Sequence, residues 1–256
     1  MRYSDNFFRN KDGIISIEFA ACFCMFSLLV FIIYDTYSSI MLQNRLERAN
    51  YTVASIFRER SAIYPVINGS KVQDMAVVCA SSNSCFNSHE LFDDTQVEEL
   101  SRLASSLLNG RNVTLKVDSL FIFQDVANPK SLAHAQSVNL SAVSCSSGVC
   151  NDGSIMDYFN SLPSMTGNLN NSLTDYSKLV PYVERTPDPT TGLTGRWIPL
   201  YRVSMCIVNE ESLYLKWFNS SRKATDTLPN LCSNIVVLSR CNDISSSDGN
   251  CPIYYR

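Results

Sequence analysis

The amino-acid sequence predicts an α+β protein: a long N-terminal transmembrane helix extending outward, then a disulfide-containing exported domain with a helix and an antiparallel sheet. Three observations carry this. No Gly or Pro falls between Ile14 and Tyr64, and the first 21 residues of that stretch hold a single charge, Glu18. Eight cysteines lie beyond the stretch. After Pro65, a segment with helical periodicity precedes several with strand-like alternation.

The chain opens with a short polar segment, residues 1–13, carrying Arg2, Arg9 and Lys11 against Asp5 and Asp12. The apolar run of residues 14–34 follows. About 20 apolar residues span a bilayer as a helix, and a helix satisfies its own backbone there. A cleaved secretory signal wants a shorter apolar core followed by a small-x-small site. The run ends instead in Phe31-Ile32-Ile33-Tyr34-Asp35. Cys22 and Cys24, inside it, read as small apolar helix residues.

The helix is expected to continue through residues 35–64. Leu42, Leu46, Ala49, Val53 and Ile56 recur at four- and three-residue steps, a seam of coiled-coil type. The seam packs either on the chain's own domain or on a partner's helix. Pro65 and Asn68-Gly69 end the element.

Residues 65–256 form the outer domain. A second helix is predicted over Thr95–Asn109, capped by Asp94 and stopped by Gly110. Strands are predicted over Val113–Phe123, Trp197–Val208, Ser212–Phe218 and Ile235–Leu238, the last short and apolar as a central strand would be. The Ser/Asn-rich stretch from Ser137 to Pro189 reads as long loops with helical pieces near Ile155–Leu162 and Leu173–Val183.

Cys79, Cys85, Cys145, Cys150, Cys206, Cys232, Cys241 and Cys251 form an even set, which implies disulfides and an oxidising compartment such as the periplasm. Eight cysteines allow 105 pairings. Closeness in sequence favours Cys79–Cys85, Cys145–Cys150, Cys206–Cys232 and Cys241–Cys251. Zinc would need tighter spacings or nearby histidine.

Composition excludes some functions. The formal net charge is -3 and no basic stripe is present, which argues against nucleic-acid binding. The two histidines, His89 and His134, stand apart from any metal spacing. No phosphate loop, nucleophile elbow or zinc-protease motif occurs. Asp243-Ile244-Ser245-Ser246-Ser247 matches an Asp-x-Ser-x-Ser metal motif, but only nine residues follow it and it lies between Cys241 and Cys251. A polar disulfide loop explains it better. The sequence therefore points to no enzyme, no cofactor and no metal; a membrane-anchored periplasmic enzyme or sensor is the alternative.

Glu18 needs a reason. A carboxylate in a membrane helix costs about 2–3 kcal/mol at the centre and less near an end. If the chain is cut after Gly13, Ile14 becomes a free amino terminus and Glu18 lies one turn along. There it meets the positive end of the helix dipole and can pair with a neighbouring chain's ammonium group.

Gly13, four residues, then Glu18-Phe19, set between a polar leader and a spanning run, resembles the prepilin-peptidase signal of type IV pilins and pseudopilins. The aromatic after the acid resembles the Flp/Tad (tight adherence) branch, whose motif has Glu-Tyr; Phe19 stands in for that Tyr. Flp pilins are much smaller than this chain, whereas the pseudopilins TadE and TadF carry a larger periplasmic portion, and the chain is most similar to TadF. The resemblance implies a minor pseudopilin needed for assembly of a Flp-type pilus. It implies processing at Gly13, Ile14, Glu18 and Phe19 by a prepilin peptidase. Its partners would be a TadE-like pseudopilin, the Flp pilin and the inner-membrane platform. It would sit in the bacterial inner membrane with a cytoplasmic N-terminus and a periplasmic domain. A type II secretion pseudopilin or a type IV minor pilin shares the leader chemistry and remains the alternative.

Overall fold

A computed structural model describes residues 11–72, 87–147, 150, 153–166, 175–185, 187–188, 191–208, 230–241 and 251–255. The expected strand over Ser212–Phe218 and the Asp243–Ser247 motif lie outside them. The chain divides into two units: Met1–Asn44 with Asn209–Leu228, and Arg45–Val208 with Pro229–Arg256.

Helix α1 runs from Lys11 to Arg58. It takes in Gly13: each residue added to an existing helix gains one hydrogen bond, which offsets the roughly 1 kcal/mol that Gly13 costs. In the first unit it is the described element, and its large apolar side chains from Ile17 to Tyr34 are exposed. It is long and apolar enough to be a single candidate membrane span.

The second unit is built on a four-stranded antiparallel sheet. Its strands are β3 (Val113–Phe123), β4 (Gln136–Cys145), β7 (Leu200–Ile207) and β8 (Leu231–Leu238), in the order β4-β3-β7-β8. Every residue of β7 is buried, as expected of a strand covered on both faces. On one face lie the last turns of α1: Phe57 meets Tyr201 edge-on at 4.9 Å, and Asn50 Nδ2 donates to the Val203 carbonyl. Helix α2 (Asp94–Leu107) packs against β3 and β4 on the same face, where Ser101 meets Ser144. The other face carries α3 (Gly153–Ser161), whose Ile155 and Phe159 close over Cys206. There too Met165, Val180 and Trp197 pack on Leu120, Ile122 and Leu200. Helix α4 (Asp175–Leu179) and the ribbon of β5 (Tyr182–Glu184) and β6 (Gly195–Trp197) complete that layer. A short ribbon of β1 (Ile67–Asn68) and β2 (Asn87–Ser88) precedes α2.

Several sequence expectations change: the strand over Trp197–Val208 is broken between β6 and β7, and Tyr182 and Val183, expected as helical, lie in β5. Asp93, not Asp94, caps α2, accepting from the Gln96 N–H at 3.0 Å. The helix ends in a Schellman turn: Gly110 N–H reaches the Ser105 carbonyl and Asn109 N–H that of Ser106, with Asn109 (φ 59°) and Gly110 (φ 79°) left-handed. Residues 137–145, expected as loop, lie in β4, because the buried Val138, Leu140 and Ala142 alternate with less buried Ser and Asn on the opposite face. Ile235–Leu238 belongs to β8, which pairs with β7 alone among the described strands, and Val236 and Leu238 are partly exposed.

Gly195 is required where it stands. A Cβ on it would come within 2.5 Å of the Tyr182 ring, which stacks edge-on to Trp197 across the ribbon.

Candidate functional site

The sequence-predicted processing residues lie in the opening turns of α1. Gly13 and Ile14 are its third and fourth residues. Glu18 and Phe19 are exposed, and Phe19 stacks on Phe23 one turn later with ring centroids 6.4 Å apart. Glu18 therefore stands as a carboxylate on a surface otherwise made of Ile17, Phe19, Phe23, Met25 and Phe26. In water such a surface is unfavourable at about 25 cal/mol per Å². Lipid or other apolar helices remove that cost, and a lone carboxylate among them then needs a cation.

The seam of α1 is largely covered. Leu42 is buried in the first unit, and in the second Leu46, Ala49 and Val53 are buried while Ile56 is half-buried. Asn50, beside them, hydrogen-bonds Val203 O and Ser233 Oγ. The second unit's own sheet thus occupies that part of the helix. The exposed side carries Tyr51, Thr52 and, beyond the helix, Ile63.

The structure brings three cysteine pairs together: Cys145 with Cys150, Cys206 with Cys232 and Cys241 with Cys251, at Cα separations of 5.5, 4.2 and 6.0 Å. All three lie within the range that a disulfide spans or close to it. Cys79 and Cys85 lie outside the described residues. Cys22 and Cys24 are exposed on α1. His89 meets the Tyr64 carbonyl and His134 meets Ser131, each through Nδ1.

Sequence reading missed the buried charges of the second unit. Glu90 is fully buried and its carboxylate accepts from Nη2 and Nη1 of Arg196, at 2.6 and 2.9 Å. Ser239 and Tyr254 hydroxyls donate to the same carboxylate. Arg196 also donates to the Pro252 carbonyl, and Tyr201 donates to that of Glu90. Burial alone lowers the Arg196 pKa, but the Glu90 charge and hydrogen bonds more than offset this and raise it. Burial pushes the Tyr201 and Tyr254 hydroxyls well up, so both stay neutral donors. One acid thus ties β6, β7, the end of β8 and the C-terminal segment.

A second pair crosses the sheet. Asp118 of β3 faces Arg202 of β7 in register and binds it at 2.6 Å. Ser141 donates to Asp118, and Arg202 donates to the Pro163 carbonyl. Arg60, just past α1, is fully buried, donates to Gln96 and lies over the Phe57, Tyr64 and Phe92 rings. Burial lowers its pKa. The sequence carried a faint signal for one of these clusters: Asp118 and Arg202 stand inside apolar strand patterns. Glu90 gave none.

The Glu90–Arg196 and Asp118–Arg202 pairs are hydrogen-bonded and buried, as structural ties are, while Arg60 keeps Nε and Nη1 without a hydrogen-bond partner among the described residues. Among the described residues no three His, Cys, Asp or Glu gather where a metal ion could be held.

Comparison with known proteins found no match among curated proteins and none among solved structures. A family model does match: TadF, described as tight adherence pilin protein F, over residues 6–240. An exposed apolar helix bearing one acid near its start, joined to a disulfide-bearing α+β domain, and a family match over nearly the whole sequence lead to one statement: the chain belongs to the TadF family of tight adherence pilin proteins.

Proposed function

We propose that this protein is a minor pseudopilin needed to assemble a Flp-type pilus. It inserts once in the bacterial inner membrane with its N-terminus in the cytoplasm. A prepilin peptidase cuts after Gly13, and the disulfide-bearing domain lies in the periplasm. A structural pilus role, rather than catalysis, fits a family of pilin proteins.

Glu18 carries the reading. It is the single charge between Ile14 and Tyr34 and stands exposed among apolar side chains. Cutting after Gly13 creates an ammonium at Ile14, one helical turn away. Pairing with that group, in the same or a neighbouring chain, removes two lone charges from lipid together. The contacts with a TadE-like pseudopilin, the Flp pilin and the membrane platform then run along α1. Its exposed side past the span, around Tyr51 and Thr52, supplies surface that the domain does not use.

N-terminal sequencing of the membrane form tests the processing step. A sequence beginning at Ile14 is expected when a prepilin peptidase is present. An intact Met1 under the same conditions rejects it.

A further inference from the structure

A short segment, residues 59–63, follows α1, and Arg60–Ala62 within it form one tight 3-10 turn. It is pinned on both sides. Before it, the Arg58 carbonyl accepts from the Arg240 N–H at 3.1 Å. After it, the Tyr64 carbonyl meets His89 Nδ1 at 2.8 Å. Between the pins Arg60 is the one buried side chain. Ala62 and Ile63 are exposed, while Glu59 and Ser61 are partly buried and each bonds to Arg240 at the surface.

The segment's hold on the core thus rests on a guanidinium. An apolar side chain resists leaving a core, because water must then surround it. Arg60 has the opposite preference. Water can satisfy all five of its N–H donors. Inside the domain Nη2 donates to Gln96, and Nε and Nη1 have no partner among the described residues. Glu90, the carboxylate whose charge reaches Arg60, is already bound to Arg196, Ser239 and Tyr254. What keeps the cation in place is the faces of Phe57, Phe92 and Tyr64, whose centroids lie 4.8, 5.5 and 5.8 Å from its guanidinium carbon. Arg196 is the contrast: it is buried too, but both its Nη1 and its Nη2 meet Glu90. A buried charge without a counter-charge is costly to keep, and local openings start where little apolar surface must be exposed.

We propose that residues 59–63 are a latch: Arg60 leaves its aromatic seat while the sheet stays folded, and its departure uncovers Phe57, Phe92 and Gln96. The latch lies within the second unit and does not rest on the pilus reading.

The test treats the full chain, in detergent micelles, with phenylglyoxal, which caps accessible guanidinium groups. Mass spectrometry of peptides times each site. Arg60 is capped at least tenfold faster than Arg196 and Arg202, at a rate that low urea does not change. Capping no faster than theirs, or a rate that climbs with urea as theirs do, overturns the proposal, because unfolding alone would then free the side chain. Arg60→Met gives a second reading, since an apolar side chain holds the seat more firmly. Hydrogen exchange at the Ile63 and Tyr64 amides, which donate to the carbonyl of residue 60, slows at least fivefold in that variant. Unchanged or faster exchange overturns the proposal. If the variant does not fold, the capping rates of the unaltered chain decide by themselves.

Discussion

Glu90 shows how much one side chain can hold. Its carboxylate meets Arg196, Ser239 and Tyr254, and its carbonyl meets Tyr201. Glu90→Gln leaves the Arg196 guanidinium buried without its counter-charge. The expected loss is about 3–5 kcal/mol in denaturant unfolding of the solubilised protein. Lys130 and Glu184 behave differently because both are exposed. Their mutual hydrogen bond holds the Glu184 carboxyl below the usual carboxylate range and lifts Lys130 above the usual lysine range. For the acid, the favourable interaction is present above the ordinary carboxylate pKa and fades as pH falls through the depressed one. For the base, it is present below the ordinary lysine pKa and fades as pH rises through the raised one. The pair is complete between those limits. Lys130→Gln should move the Glu184 midpoint, followed by NMR, upward toward the ordinary value. Because exposed pairs contribute little, the melting temperature should hardly change.

At the scale of elements, β8 depends on a covalent tie more than its neighbours do. Among the described strands it pairs with β7 alone, and Cys206 and Cys232 lie directly opposite each other in that register. Cys232→Ser is expected to cost about 2–4 kcal/mol. Hydrogen exchange should quicken in Leu231–Leu238 and stay slow in Val113–Phe123, which has a partner strand on each side. The last turns of α1 are held by side chains instead. Phe57 is fully buried against Phe92 and Tyr201, so Phe57→Ala should lose about 3–5 kcal/mol, read by the same unfolding experiment.

For the whole molecule, the exposed apolar length of α1 and its one acid set separate requirements. Insertion needs the apolar run, and assembly, on the proposed reading, needs Glu18. Glu18→Ala should therefore remain in carbonate-washed membranes at wild-type levels while pilus yield falls sharply, counted by electron microscopy. Normal pilus yield from the variant would remove the carboxylate from the assembly step.

What the sequence determined by itself was set by local and periodic chemistry. An uninterrupted apolar stretch can only be helical in lipid, Glu18 stands out because nothing near it is charged, and the alternation of Val113–Phe123 and of the residues around Tyr201 writes a strand directly. The α+β class and the candidate membrane span followed from these. Tertiary structure alone decided what depends on partners distant in the chain. Residues 137–145 alternate, yet their Ser and Asn content matches a loop until β3 lies beside them. The register of β8 on β7 is a pairing that its apolar side chains alone do not give. Glu90 meets Arg196 across more than a hundred residues, and burial makes their charges matter. Such pairings leave no periodic trace, because a single buried ion pair fixes one contact rather than a repeating face.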